Sequence, residues 1–394
     1  NRLAPVLFLQ ASNFLSSLAN SMVLLLIPWL VLTNRDSPAE AGLVIAVAAT
    51  PAVAVTILAG ALADRIGARR VSIGSDALSA ISVLLFPIVL WSGSSNLLVF
   101  IALATLGATF DPAGFTARKT LIPNVASKAQ MSVPGLNSIH EAVFGSAFVL
   151  GPAATGLLIA NFGLIPPFFV ATAMFVLAAL LMVLLPVTST VMTPTQRELG
   201  ILHDLKDGVR ALWQDKLLSW MTLSIIVLAG VYLPVEGVLL PTYFEGQDLP
   251  QVFGLILTAL GAGATVGALL FASIYKALSA RTIFTLCLLA SGAIVFAMSS
   301  LPQAGLFIAL GGLLGLAWGP MQPLLNTLVQ TRIRPGLQGR VFGIQVAFFS
   351  IAPPLGYLVA GVATEGFGVG QVFVFIAVTL LAVGALSIWG VYRR

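Results

Sequence analysis

Of the 394 residues, 58% are hydrophobic and only 8% charged, against roughly 25% charged in soluble domains. The apolar surplus has to face lipid, so a soluble globular class is excluded. The net charge of +5 does not point to nucleic acid, because the basic residues sit in short loops between apolar runs.

The apolar runs are continuous and near twenty residues long, which predicts membrane-spanning helices and excludes a β-barrel. In chain order they cover 3–32, 39–63, 71–91, 97–117, 132–160, 164–186, 217–244, 251–275, 282–300, 304–331, 340–363 and 371–391, twelve in all. The first is too long for a signal-peptide core and lacks a small-residue cleavage pattern after it. The chain opens at Asn1 without a methionine, from which a few trimmed residues are expected. With the N-terminus inside, eighteen of the 19 Lys and Arg residues fall on the cytoplasmic side and only Arg35 outside. Both termini are then cytoplasmic.

One long hydrophilic connection, 187–216, separates residues 1–186 from 217–394, six spans each. Within it Leu199, Leu202, Leu205, Val209 and Leu212 recur at helical spacing between Arg197, Lys206 and Arg210, which predicts an amphipathic tether on the membrane face. The two halves are weak copies. Ile27-Pro28 matches Leu240-Pro241, Gly42-Leu43 matches Gly254-Leu255, and Asp111-Pro112 is echoed by Gly319-Pro320. Parallel six-span repeats of this kind are typical of major facilitator halves.

Between spans two and three, Gly60-Ala-Leu-Ala-Asp64-Arg65-Ile-Gly67 resembles the loop signature of the major facilitator superfamily. The arginine usual after the second glycine is Ala68 here, with Arg69 and Arg70 following, so the resemblance implies a charge relay that either uses a shifted arginine or is weakened. In span five, Gly151-Pro152-Ala-Ala-Thr155-Gly156 resembles the antiporter segment of the same superfamily. Phe110 to Arg118, Tyr232 to Pro241, Gly319 to Pro323 and Gln330 to Arg332 resemble the Tap-type multidrug efflux proteins, over nearly the whole chain. That resemblance implies a multi-pass protein of the bacterial inner membrane that exports drug-like small molecules, tetracycline-like and aminoglycoside-like compounds among them, in exchange for protons. That branch often carries an acid midway along span one; the matching position is Asn20.

Charges inside a bilayer are rare enough that each needs a reason. Asp76 lies about 9 Å into span three, and Asp111, near the inner end of span four, is expected at similar depth. Both are read as partners of Arg65, Arg69 and Arg118 in a cytoplasmic gate formed with Gly60, Asp64 and Gly67, proton carriage being the other reading. Glu141 is expected about 14 Å deep in span five, as a proton-coupling carboxylate or one bonded to neighbouring helices. His140, about 100° away on the helix, is expected to be packed. Glu236 lies between Pro234 and Pro241, whose missing amides loosen the helix. It is the second coupling candidate, or else a carboxylate at the outer mouth.

Gln10, Asn13, Ser17 and Asn20 in span one, and Gln322, Asn326 and Gln330 in span ten, each occupy one helical face. They are read as substrate-cavity wall, with helix-to-helix hydrogen bonding as the alternative. Phe115, Tyr232, Trp318 and Met321, with Trp29, add surface for bulky cations. A cargo of siderophore, lipid or metabolite keeps the same fold, and a non-transporting receptor stands as an alternative of another class. No Gly-Lys pair exists for a nucleotide-binding loop, and one cysteine with two histidines cannot build a zinc cluster. No enzyme, cofactor or metal is expected; the partners are substrate, protons and lipid, with the chain as a monomer.

Overall fold

Inside lipid each backbone amide has to pair within its own segment, which leaves helix as the form for continuous apolar runs. The computed structural model describes the backbone of residues 2–93, 95–186, 209–210 and 212–389, and their side chains except at 56–65, 134, 272, 330, 335–336, 338–340, 342–343, 346–348 and 389. Apart from turns, the described residues are helical throughout. The expected amphipathic tether lies almost wholly outside them.

The first six helices are α1 (Ala4–Arg35), α2 (Pro38–Ile66), α3 (Ala68–Trp91), α4 (Leu97–Ala129), α5 (Val133–Phe162) and α6 (Ile165–Leu184). After the tether come α7 (Lys216–Pro234), a π-helical turn (Val235–Leu239) and α8 (Leu240–Glu245). The chain continues through α9 (Pro250–Ala277), α10 (Ala280–Met298), α11 (Ala304–Trp318), α12 (Met321–Arg332), α13 (Pro335–Phe367) and α14 (Val369–Trp389). Side-chain caps start several of them. Asn96 accepts from the Leu98 amide at 2.9 Å, and Asp215 from that of Leu218 at 2.9 Å. Among the described residues, eleven stretches are long and apolar enough to cross a membrane.

Most spans end within a few residues of their hydropathic limits. Three departures matter. Helix α4 runs on to Ala129 instead of stopping near 117, because Leu121, Ile122, Val125, Ala126 and Ala129 form an apolar stripe. They pack with Val6 and Leu9 of α1, Ala68 and Val71 of α3, and Met182 of α6. In the seventh span, proline at 234 and 241 removes two amide donors, and the ladder widens into the π turn between them. In the tenth, Gly319-Pro320 interrupts the ladder and separates α11 from α12.

Two compact units are distinguished. Unit 1 comprises 1–36, 43–197 and 248–254; unit 2 comprises 37–42, 198–247 and 255–394. In unit 1, α3 packs on α4 and α6, while α1 packs on α5 and α6. In unit 2, α10 packs on α11 and α14, and α7 on α13.

Candidate functional site

Polar side chains inside unit 1 concentrate on two seams. Along α3, Ser72, Ser75, Ser79 and Ser82 recur at three- and four-residue steps and are all buried. The Ser75 hydroxyl donates to the Phe110 carbonyl at 3.0 Å and that of Ser82 to Leu103 at 2.6 Å. The Ser79 hydroxyl reaches both the Gly107 carbonyl at 3.3 Å and Asp111 Oδ1 at 2.7 Å. Glycine on α4 makes this approach possible. A Cβ on Gly114 would stand 2.5 Å from Ser75 Oγ, and one on Gly107 2.8 Å from Ser82 Oγ.

At one end of this seam Asp76, 1% exposed, receives a hydrogen bond from Ser16 of α1 at 2.7 Å and an ion pair from Arg118 of α4. Burial of both charges is tolerated because each neutralises the other and the hydroxyl fills a remaining lone pair. Asp111 meets the next turn of α3, at Ser79, within electrostatic reach of Asp76 and Arg118. With α4 extended, it lies about 27 Å from the helix C-terminus at 1.5 Å per residue. It therefore sits at mid-helix, and its hydrogen-bond partner is Ser79.

The loop signature is described only in part. The backbone of Gly60, Asp64 and Arg65 continues α2, and their side chains lie outside the described residues. Gly67 caps α3 at φ 94°, a conformation that suits glycine. Ala68 is buried in the apolar cluster at the start of α3, where a long cation does not fit. Arg69 does not join Asp76 directly: its Nε donates to the Met182 carbonyl at 2.8 Å and its Nη2 to that of Val183, satisfying the C-terminal carbonyls of α6.

The second seam joins α1 to α5. His140 is fully buried, its Nδ1 lies 3.2 Å from Gln10 Oε1, and Asn13 Nδ2 donates to its carbonyl at 3.1 Å. Ser21 donates to the Ala147 carbonyl at 3.1 Å. A Cβ at Gly151 would fall 1.7 Å from Ser21 Oγ, so this glycine sets the spacing of the two helices, with Pro152 and Gly156 buried after it. Gln10, Asn13 and Ser17 are thus buried against neighbouring helices instead of lining an open wall, while Asn20 is half-buried. Three polar atoms here, Gln10 Nε2, Asn13 Oδ1 and His140 Nε2, have no hydrogen-bond partner among the described residues. The Glu141 side chain is 56% exposed and pairs with Lys119 at 2.6 Å, and Lys119 lies 4.4 Å over the half-buried Phe115 ring. Glu141 is thus bonded to a neighbouring helix, α4, one of the two arrangements expected of it.

In unit 2, Glu236 sits half-buried in the π turn. Tyr232, one turn before it, stacks on Trp318 with ring centres 4.6 Å apart and planes 3° from parallel. The Tyr357 ring covers Gly237, where a Cβ would stand 2.7 Å from Cε1. Glu236 lies within electrostatic reach of both tyrosine hydroxyls, and that of Tyr232 is buried. Nearby α12 carries buried Met321 and the exposed Gln322, whose Nε2 donates to Asn326 Oδ1 at 3.2 Å. Gln322 lines a cavity of about 200 Å³ with Thr222, Ile225, Leu325, Gln345 and Phe349. The Gln330 side chain lies outside the described residues. Sequence reasoning missed Ser16, the α3 serines, Gln345 and Tyr357. The serine spacing was readable; nothing in the sequence singled out Tyr357.

The chain matches the model of the Major Facilitator Superfamily over residues 10–356 and again over 250–394. It is 32% identical over 388 residues to the multidrug efflux pump Tap of Mycobacterium tuberculosis, covering 98% of this chain and 93% of that one. It is 32% identical to Tap of Mycolicibacterium fortuitum over 390 residues, 98% of this chain and 95% of that one. The fold is similar to that of the nucleoside transporter NupG, with a TM-score of 0.81 and 14% identity over 99% of this chain and 100% of that one. The chain belongs to the major facilitator superfamily and is a membrane transporter, not an enzyme.

Proposed function

We propose that this transporter exports drug-like small molecules across the bacterial inner membrane in exchange for protons, by alternating access of two six-span halves, 1–186 and 217–394, joined by 187–216. The near-full-length similarity to multidrug efflux pumps carries the reading. The twelve spans have both termini in the cytoplasm, and the chain works as a monomer. Carboxyls within the spans, Asp111 and Glu236, supply groups able to exchange protons. Asp76 with Arg118 serves as the latch of the cytoplasmic gate, together with Gly60, Asp64, Arg65, Gly67 and Arg69, and has to part when the protein opens inward. The half-buried Trp318, backed by the buried Tyr232 ring, favours cationic, aromatic cargo together with Glu236, since a ring face and a carboxylate both attract positive charge. Gln322, which lines the cavity of unit 2 and is held by Asn326, supplies hydrogen-bonding groups that orient it. Glu141, paired with Lys119, is a lesser candidate for coupling. Gly151 shapes the α1–α5 contact, and Pro152 and Gly156 the contact of α5 with residues 250–254, which the antiport cycle works against.

The test is flux of tetracycline and of an aminoglycoside in proteoliposomes with and without a pH gradient. Gradient-dependent uptake into inside-out vesicles, abolished when the gradient is collapsed, is expected. Flux indifferent to the gradient refutes proton antiport, and flux of neither compound refutes drug export.

A further inference from the structure

We propose that Asp111 is the proton-binding carboxyl of unit 1, with Ser79 as the group that keeps it hydrogen-bonded in both protonation states; this rests on the antiport reading above. Charge pairing in unit 1 leads there. The cations nearest to Asp111 along α4 are Arg118 and Lys119, and each is engaged: Arg118 with Asp76 of α3, Lys119 with Glu141 of α5. Helix α1, also packed on α4, carries no charged residue between Arg2 and Arg35. The α5 histidine, His140, is turned into the α1 seam with Gln10. Asp111 is left at mid-helix with a neutral hydroxyl as its hydrogen-bond partner and no ion pair of its own among the described residues, Arg118 and Asp76 acting on it only from a distance.

An ionised carboxyl is costly in such a place, and a proton removes the cost. Ser79 has two acceptors in reach, which makes either state satisfiable. With Asp111 ionised, the Ser79 hydroxyl donates to Oδ1 at 2.7 Å. With Asp111 protonated, the carboxyl donates to Ser79 Oγ, and the Ser79 proton turns to the Gly107 carbonyl at 3.3 Å. Nothing breaks except the bond between Asp111 and the proton, which comes from solvent and returns to it. Asp111 is half-buried, so part of its surface is left open for the proton to arrive. Asp76 has no such freedom, because its proton would compete with Arg118 and Ser16 together.

Purified wild type, Asp111→Asn and Ser79→Ala are reconstituted with a pH-sensitive dye inside the vesicles and tetracycline as probe. Infrared difference spectra are recorded on the same proteins over a pH titration. In Asp111→Asn, a titrating carboxylic C=O band is expected to vanish, and the ratio of gradient-driven flux to equilibrium exchange to fall at least tenfold. Removing the Ser79 donor disfavours the anion, so Ser79→Ala moves the pH midpoint of transport upward by about one unit. A wild type that moves protons with drug, joined to an Asp111→Asn protein that keeps the band and the coupling, overturns the inference and leaves antiport standing. A Ser79→Ala midpoint unchanged from wild type overturns it as well, even if Asp111→Asn does not fold. A wild type that moves no protons overturns both.

Discussion

The two units shelter an intramembrane carboxyl in opposite ways. In unit 1, Asp76 and Asp111 sit on α-helices that run on past them without a break, through Pro112 in the case of Asp111, and polar side chains reach across a close seam to meet them. In unit 2, Glu236 sits where the helix itself is broken into a π turn, and its surroundings are aromatic. A seam of serines and glycines works by proximity, so it is intolerant of added volume. A broken turn lined with rings works by shape, so it tolerates loss of a hydroxyl better than loss of a face. That difference predicts where each unit fails first.

The largest effect is expected at Arg118. Arg118→Gln leaves the Asp76 carboxylate buried without a cation and lowers stability by about 3–5 kcal/mol, measured as thermal unfolding in detergent. Adding Asp76→Asn restores part of the loss; a single variant that melts with wild type removes the ion pair from the account of unit 1.

Next comes volume. Gly114→Ala sets a methyl 2.5 Å from Ser75 Oγ and costs about 1–3 kcal/mol, recovered in Ser75→Gly. Gly74→Ala, with nothing within 4 Å of the new atom, instead stabilises by about 0.5–1 kcal/mol. If both alanines behave alike, the seam is not closely packed.

In unit 2, a double-mutant cycle of Tyr232→Leu and Trp318→Leu should return a coupling of about 0.5–1.5 kcal/mol beyond area. Tyr232→Phe should leave that coupling in place. A coupling near zero means the rings touch without mattering.

The smallest effect lies outside the spans, at Asp215, which caps α7 and pairs with Arg332 at 3.0 Å. Partial burial pushes its carboxyl up, but the Leu218 amide and Arg332 outweigh that and hold it below the ordinary carboxylate value. A depressed carboxylate stabilises at pH values above the unfolded value and ceases to do so as pH falls through the folded one. Asp215→Ala should therefore cost about 1 kcal/mol at pH 7, with the gap to wild type closing below about pH 4. A gap independent of pH would falsify the charge-based cap.

Hydropathy made most of the spans legible, because in lipid an apolar run of twenty residues has one stable form. It failed at the end of α4, where Arg118, Lys119 and Lys128 masked an apolar stripe that packs in the first unit. That failure also put the inner end of α4 near 117, against which the depth of Asp111 was counted. On α5, His140 turns into the α1 seam and Glu141 to Lys119 of α4. The stripe on α1 was a true helical face, but hydrogen bonds to α5 and a wet cavity demand the same residues. The π turn was announced by Pro234 and Pro241, whereas Gly319-Pro320 was seen as a mark of the repeat and not as a break.

Those two interruptions flank the Tyr232 and Trp318 stack: the π turn opens three residues after Tyr232, and the α11 ladder ends at Trp318 itself. Two weakened stretches of backbone are thus pinned together by the flattest ring contact in the unit's described residues. Bending at either one therefore strains the same ring contact, which ties the two helices to each other where their backbones are weakest.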